Sequence, residues 1–222
     1  LDYLRTLPWI ELIERKAAPD DTPPLSHSRA LDLALARVTT PFMLSIHTDT
    51  FVRRSDWLDV LLAPFAADAK LAGVGSWKLE SKTWLQRLGR RLEEFVKVAQ
   101  HKLTGRRTYR AERFDSSLHY LRSHCAMYRT EVIRALGTGF SDGNTVAGSV
   151  MHRKMVAAGY RMRFLESEYL GQYVDHLNHA TMVLNPQLGS NERNIRKGRV
   201  RVGNKLRGID ADGILADDSL DR

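Results

Sequence analysis

Segments with helical spacing of apolar residues alternate with short apolar runs through the first half of the chain. The helical segments are residues 28–37 and 55–67, and the runs of strand length are residues 42–46 and 71–79. The first run stops abruptly in the polar sequence HTDT at residues 47–50. This alternation predicts an α/β domain whose largely parallel sheet is flanked by helices, with polar groups delivered to the sheet's carboxyl edge.

The second half predicts further elements of both kinds. These are a basic amphipathic helix at 81–103, a strand at 118–127, a short helix at 131–136 closed by Gly137, a helix at 143–158 and a strand at 160–165. The basic helix looks appended to the core. No internal repeat interrupts this order, so the pattern favours one main domain.

The two ends of the chain differ from the middle. The opening LDYLRTLPW predicts the end of a helix, followed by a strand at 10–14, and suggests that an upstream piece precedes it. Residues 17–25 contain three prolines and two aspartates and predict a loop. We therefore expect a domain over 1–188 and a basic tail over 189–222 that is peripheral or partly disordered.

Composition places this chain of 222 residues, 43% hydrophobic and 27% charged, among ordinary globular proteins. Its single cysteine, Cys125, excludes an intramolecular disulfide and suggests a buried thiol in a reducing compartment. No apolar run approaches the roughly 18 residues of a membrane span, and no secretion signal is apparent. These features predict a cytoplasmic protein, and the net charge of +8 predicts attraction to polyanions.

Asp49 is the first candidate for chemistry, because it follows a buried strand. A carboxylate at such a strand end can bind a divalent cation and, through it, a diphosphate. The alternative is that Asp49 caps the helix beginning near Ser55, since aspartate is common at turns and caps. His27 and Arg29 precede or open the first helix, where a helix amino end and a cation can hold a phosphate or sugar hydroxyl. Surface exposure without function is their alternative.

The segment SHSRALDLALARVTTPFMLSIHTDTFVRRSDWLDVLLAPF resembles the middle of family 2 glycosyltransferases of the GT-A fold. There, a helix with an ALN-like stretch precedes a strand that ends in Asp-x-Asp, followed by a polar loop, a Trp-Leu pair and a helix. Ala30-Leu31-Asp32 stands at the ALN position, and His47-Thr48-Asp49 stands at the Asp-x-Asp. Downstream, HCAMYRTEVIRALG, MHRKMVAAGYRMRFL and YVDHLNHAT resemble the family's acceptor-side strand, its closing helix and strand, and its metal-binding histidine segment.

The resemblance covers residues 25–182 and implies a GT-A-like, Rossmann-like mixed and mainly parallel sheet. It implies transfer of a sugar from a nucleotide-sugar donor to a glycan or lipid-linked acceptor, with inversion and with Mn²⁺ or Mg²⁺. The implied metal ligands are Asp49 and His176, with His179 second. The resemblance places Asp32, His47, Thr48 and Asp49 at donor-binding positions, and the start of the first helix adds His27 and Arg29 to the candidate donor-binding residues. A structural role for either later histidine is the alternative.

Two departures from the family pattern matter. His47 replaces the first aspartate of the Asp-x-Asp, so metal binding depends on Asp49. The acidic pair that usually provides the catalytic base falls on Ala147 and Gly148. Because an inverting transfer needs a base near the acceptor hydroxyl, Asp142 is the candidate that could substitute. A turn-forming role for Asp142 beside Gly143 is the competing interpretation.

Three other interpretations stay open. The helix at 81–103 and the tail at 193–207 could hold the enzyme against anionic lipid, or be solvated faces. The chain could be a non-catalytic homologue that binds a nucleotide or glycan. Its charge also suits a nucleic-acid-binding protein, although no nucleic-acid-binding motif is apparent and we expect no nucleic acid partner.

Overall fold

The computed structural model describes residues 2–77, 79, 119–177, 180, 183, 192–217 and 219. They form two compact units, one made of residues 1–18 and 177–222 and the other of residues 19–176. The basic helix predicted at 81–103 lies outside the described residues.

The unit of residues 19–176 alternates helices with strands. In chain order its elements are α2 (Pro23–Arg37), β1 (Phe42–Ile46), β2 (Thr50–Val52), α3 (Trp57–Ala67), β3 (Leu71–Gly75), β4 (Cys125–Arg129), α4 (Thr130–Ala135), a 3₁₀ turn (Asp142–Asn144), α5 (Ser149–Ala157), β5 (Arg161–Phe164), α6 (Ser167–Leu170) and β6 (Val174–His176). This composition confirms a mixed α/β unit whose sheet is flanked by helices.

The main sheet has the strand order β1-β4-β3-β5. Strand β4 runs antiparallel to both of its neighbours, and β3 runs parallel to β5. Three strands therefore share one direction, but only the β3–β5 pairing is parallel, because β4 lies between β1 and β3. The prediction of a mixed sheet is confirmed, whereas the expectation that its strands pair mainly in parallel is corrected.

The antiparallel placement of β4 brings three segments to one edge of the sheet. Ile46 at the end of β1 lies opposite Cys125 at the start of β4, and Gly75 at the end of β3 lies opposite Ala126. Backbone hydrogen bonds continue this pairing beyond the strands, from His47 N to the carbonyl of His124 at 3.2 Å. Polar residues after β1, after β3 and before β4 consequently meet at the same edge.

Two short strands, β2 and β6, form a second sheet. Strand β2 pairs antiparallel with β6, with Thr50 opposite His176 and Val52 opposite Val174. Sequence analysis misses both strands, because three residues are too few to show an alternating pattern. The pairing places His176 beside the turn that follows β1.

The core lies on both faces of the main sheet. Alternate residues of β4 face opposite sides, so Ala126 and Tyr128 belong to one cluster whereas Cys125 and Met127 belong to the other. Burial raises the pKa of the Cys125 thiol to about 12, as expected for a thiol without access to water. The predicted burial of this cysteine is confirmed.

Several predicted boundaries are wrong, and backbone chemistry explains two of them. Helix α2 begins at Pro23 rather than at residue 28, because proline is tolerated in the first turn, where its missing N–H costs no hydrogen bond. The helix predicted from residue 143 begins only at Ser149, because Gly143 and Gly148 have φ values of 71° and 76°. These left-handed conformations interrupt an α-helix.

Three further predictions are corrected. Strand β4 spans Cys125–Arg129, whereas the sequence predicts a strand at 118–127, and the strand β3 ends at Gly75 rather than at residue 79. The strand predicted at 10–14 is absent, since residues 10–18 of the described chain form no strand.

The other unit contains α1 (Asp2–Thr6), α7 (Glu192–Gly208) and α8 (Ala211–Leu215). The tail predicted to be partly disordered therefore contains two helices. Within α7 the residues Gly198 and Val202 are buried, and Val183 approaches Gly198 closely. Among the residues that the structure describes, no helix has both the length and the apolar character to cross a membrane.

Candidate metal centre

Asp49 lies in the turn between β1 and β2, and backbone hydrogen bonds hold this turn in place. Thr50 N donates to the carbonyl of His47 at 3.0 Å, which closes the turn. The Thr50 hydroxyl donates to the carbonyl of His124 at 3.1 Å, which ties the turn to the segment preceding β4. The buried strand β1 thus ends in a fixed turn that presents the Asp49 carboxylate.

Two histidine side chains meet at the Asp49 carboxylate. His176 Nε2 lies 3.0 Å from Asp49 Oδ1, and His47 Nδ1 lies 3.9 Å from the same oxygen. One candidate ligand atom from each residue falls within 4.8 Å of the others. The side chains of His176 and Asp49 are only 10% and 17% exposed, whereas that of His47 is 32% exposed. The group is therefore largely shielded but reachable from solvent.

The protonation states of this group suit a cation. Burial alone would raise the pKa of Asp49, but the hydrogen bond and charge of His176, together with His47, outweigh it and lower that pKa. Burial, together with the charges of the neighbouring His27 and His176, outweighs the charge of Asp49 and lowers the pKa of His47 to about 4. At neutral pH the site offers an ionised carboxylate and a neutral imidazole at His47, which are the metal-binding forms of both groups.

The spacing and the chemistry of the donors fit a transition metal. Ligand atoms bound about 2.1 Å from one ion lie about 3.0–3.4 Å apart. His176 Nε2 and Asp49 Oδ1 are already 3.0 Å apart, whereas His47 Nδ1, at 3.9 Å from Asp49 Oδ1, would have to move closer. Two imidazole nitrogens and one carboxylate suit Mn²⁺, Fe²⁺ or Zn²⁺, whereas Mg²⁺ prefers a full set of oxygen ligands. Of the two cations expected from the sequence, the donor set favours Mn²⁺.

A second layer of polar side chains surrounds the three candidate ligands. His47 Nε2 lies 3.0 Å from Ser123 Oγ, and His27 Nε2 lies 3.1 Å from the same hydroxyl. The His124 ring stacks on His176, with ring centroids 5.0 Å apart, and its Nε2 lies 3.0 Å from Ser76 Oγ. Hydrogen-bonded outer residues of this kind orient metal-binding imidazoles.

The structure brings together four of the residues singled out from the sequence, namely His27, His47, Asp49 and His176. Thr48 is exposed in the turn beside them. His179, the second candidate metal ligand, lies outside the described residues. The metal and donor-binding roles of all these residues stay predictions.

Arg29 is engaged in ion pairs. Its guanidinium lies 2.8 Å from an oxygen of Asp20 and 2.7 Å from an oxygen of Asp21. The hydrogen bond with Asp20 is the largest contribution that raises the pKa of Arg29. These contacts brace the loop before α2, so a donor-binding role would require Arg29 to exchange at least one carboxylate for a phosphate.

Asp32 fastens a distant loop to α2. Its oxygens accept hydrogen bonds from Phe140 N at 2.6 Å and from Ser141 N at 2.9 Å, and also from the Ser141 hydroxyl. A side chain on Gly139 would meet Asp32 Oδ1 at 2.7 Å, so the close approach needs glycine. These hydrogen bonds give Asp32 a structural role that requires no nucleotide-sugar donor.

We expect Asp32→Ala to lower the free energy of unfolding by about 2 kcal/mol, because hydrogen bonds to a charged group are lost. Mn²⁺ affinity should stay unchanged, since the metal candidates lie elsewhere on the unit. Urea denaturation and Mn²⁺ titration of the variant, with Asp32→Asn as the milder control, measure both quantities. A loss of nucleotide-sugar affinity without a loss of stability would instead favour the donor-binding role.

Asp142 braces the turn of which it is part. Its Oδ2 accepts a hydrogen bond from Lys154 Nζ at 2.7 Å and another from the Thr138 hydroxyl. Burial would raise the pKa of Asp142, but these hydrogen bonds outweigh it and lower that pKa. A lowered pKa weakens a general base, so the catalytic role of Asp142 stays a prediction that competes with a structural one.

Sequence analysis misses Ser76, Ser123 and His124. The signal that could have found them is the polar pair Ser123-His124 immediately before a buried run, the mirror image of the polar group after β1. Using that signal requires knowing that β4 is antiparallel, because only then does its beginning meet the end of β1.

Comparison with known proteins identifies no relative of this chain. No protein-family model, no curated protein and no solved structure matches the chain. The case for a metal centre therefore depends on the chain's own residues.

Proposed function

We propose that this chain is a metal-dependent glycosyltransferase that transfers a sugar from a nucleotide-sugar donor to a glycan or lipid-linked acceptor, with inversion. The observation that carries the proposal is the 3.0 Å approach of His176 Nε2 to Asp49 Oδ1. These two residues are the metal ligands that the resemblance to family 2 glycosyltransferases implies, and they are distant in sequence. The two residues belong to separate motifs, so the resemblance alone does not bring them together. Their contact at one sheet edge therefore supports the resemblance independently.

The chain's own residues would hold and orient the donor. Asp49 and His176 supply a carboxylate oxygen and an imidazole nitrogen, and His47 supplies a nitrogen where the family has its first aspartate. A bound divalent cation neutralises the charge that develops on a nucleoside diphosphate leaving group. With a cation bound, the shielding of Asp49 and His176 from water would strengthen the attraction between that cation and an anionic ligand.

The position of the site in the sheet also supports a nucleotide-sugar ligand. In open α/β sheets, ligands bind beyond the carboxyl ends of the strands. The turn after β1 and Ser76 after β3 lie at that edge, and His27 comes from the first turns of α2. A donor placed there would meet several hydrogen-bonding groups besides the cation.

Thermal unfolding with and without Mn²⁺ against a panel of nucleotide sugars tests the proposal. A ligand at a hundredfold excess over its Kd adds about 2.7 kcal/mol of stability. For a unit of this size that corresponds to a rise in Tm of roughly 5–10 °C. We expect the rise with one class of nucleotide sugar, only when Mn²⁺ is present, and its reversal by a chelator. Binding of Mn²⁺ without any response to nucleotide sugars would contradict the proposal.

The alternatives give different results in the same samples. A non-catalytic homologue would bind the nucleotide sugar but release no nucleoside diphosphate in a single-turnover experiment with acceptor. Asp142→Asn, compared with the parent chain in that experiment, tests the proposed base. A nucleic-acid-binding protein would bind DNA or RNA without metal, with an affinity that falls steeply as salt is added.

We include in the proposal that helix α7 contacts an anionic surface. Its exposed basic residues include Arg196, Lys197, Arg199 and Arg201, whereas Gly198 and Val202 are buried. Each basic side chain near an anionic membrane surface contributes about 1 kcal/mol of attraction. A lipid-linked acceptor would lie at such a membrane surface. Co-sedimentation of the chain with anionic vesicles, compared with its co-sedimentation with neutral vesicles, tests the contact.

A further inference from the structure

The Ser123 hydroxyl lies between two imidazole rings. Its Oγ is 3.0 Å from His47 Nε2 and 3.1 Å from His27 Nε2, and Ser123 itself is buried. The residue cannot easily move away, because its carbonyl accepts a hydrogen bond from the buried Ser45 hydroxyl at 2.7 Å. Both imidazoles therefore share one fixed hydroxyl.

A hydroxyl has one proton to donate, and this limits what the two rings can be. If Ser123 donates to one Nε2, that nitrogen must be unprotonated, and the other Nε2 must be an N–H that donates to Ser123. Each neutral imidazole carries its single proton on Nδ1 or on Nε2. Whenever Ser123 donates its proton to one of these two neutral rings, the rings therefore adopt opposite tautomers.

A metal at the candidate centre would select one of the two arrangements. His47 directs Nδ1 toward Asp49, so the Nδ1 lone pair is the one available for a cation. Its proton is then on Nε2, which donates to Ser123 Oγ. When Ser123 in turn donates its proton to His27 Nε2, the proton of His27 lies on Nδ1.

We propose that Ser123 is a positioning residue that couples metal binding at His47 to the tautomer of His27. This inference rests on the metal centre of the proposed function. In the metal-bound form, His27 offers an N–H donor at Nδ1, which suits a phosphate or sugar oxygen of the donor substrate. Without the metal, the hydroxyl can point either way, and His27 samples both tautomers.

Removal of the Ser123 hydroxyl should measurably weaken metal binding. Loss of an outer-shell partner of a metal-binding histidine typically weakens metal affinity 10- to 100-fold. We expect this range for Ser123→Ala. Ser123→Thr, which keeps a hydroxyl, should restore most of the affinity. Ser76→Ala is the control for the tautomer measurement alone, because it removes a serine–imidazole hydrogen bond at His124 and leaves both Ser123 hydrogen bonds in place.

Two-bond ¹H–¹⁵N correlation spectra of the histidine rings read the tautomers directly. Zn²⁺ serves as the probe because it is diamagnetic and accepts the same nitrogen and oxygen ligands. The signals of His27 and His47 are assigned from His27→Gln and His47→Gln spectra of the full chain. On adding Zn²⁺ to the parent chain, we expect a ligated Nδ1 with Nε2–H at His47 and a single Nδ1–H tautomer at His27. In Ser123→Ala the His27 signals should no longer respond to Zn²⁺, whereas in Ser76→Ala they should respond as in the parent.

The outcomes separate this inference from the proposed function. If Zn²⁺ binds with Asp49 and His176 but the His27 tautomer does not change, or changes equally in Ser123→Ala, the relay is wrong and the metal centre stands. If Zn²⁺ does not perturb His47 or His176 at all, the metal centre is wrong and the relay falls with it. Folded Ser123→Ala with unchanged Mn²⁺ affinity would also overturn the relay.

Discussion

Asp49→Ala is expected to weaken Mn²⁺ binding by more than about 100-fold. Loss of an outer-shell group alone costs 10- to 100-fold, and Asp49 is the only anionic member of the three candidate ligands. Without it, two neutral imidazoles would face a doubly charged ion in a site largely shielded from water. Titration of Mn²⁺ followed by electron paramagnetic resonance, or by calorimetry, measures the affinity directly.

The same substitution should abolish the metal-dependent binding of nucleotide sugars. Asp56→Ala is the matched control, because Asp56 lies in the following loop with its carboxylate exposed and paired to Arg54 at 2.7 Å. That variant should bind Mn²⁺ as the parent does. Equal Mn²⁺ affinity in Asp49→Ala and Asp56→Ala would remove the basis of the metal centre, and with it the proposed sugar transfer.

The site is held by long-range pairing more than by any one segment. Its residues come from the first turns of α2, the turn after β1, the segment before β4 and the end of β6. Ser123 contacts side chains from α2 and from the turn after β1, and the carbonyl of His124 accepts hydrogen bonds from that same turn. The His124 ring also stacks on His176 at the end of β6. The start of β4 is therefore the part of the fold that fixes the distances within the site.

Some of this arrangement follows from the sequence. The bounds of β1 can be predicted because five apolar or small residues end sharply in polar ones, and the same transition indicates Asp49. The mixed α/β class follows from the alternation of helical and strand patterns. These features depend on local periodicity, which a single sequence displays.

The rest depends on contacts that local periodicity does not contain. Nothing near Thr50 or near His176 indicates that they lie opposite each other in a sheet of two three-residue strands. The antiparallel direction of β4, which brings Ser123 between His27 and His47, is likewise a tertiary choice. Asp32 shows the converse, because a residue that the family resemblance assigns to the donor makes structural hydrogen bonds to a loop.

Leu61→Ala is expected to lower the free energy of unfolding by about 2–5 kcal/mol, the range for a leucine removed from a packed core. Leu61 in α3 is 0% exposed and belongs to the cluster that includes Cys125 of β4 and Val174 of β6. The cavity left by the substitution would lie in the cluster that contains Val174 of β6, the strand that ends in His176. The Tm should therefore fall by roughly 4–20 °C, at 2–4 °C for each kcal/mol in a protein of this size.

Leu58→Ala provides the matched control for Leu61→Ala. It makes the same change in the same helix, but Leu58 is 38% exposed. We expect it to cost about 0.5 kcal/mol or less, as is usual for surface substitutions. Urea denaturation of both variants, followed by circular dichroism, compares them with the parent. Equal destabilisation by the two substitutions would contradict the packing of α3 against the sheet. Since Val174 is two residues from His176, the Leu61 variant should also bind Mn²⁺ more weakly, whereas the Leu58 variant should not.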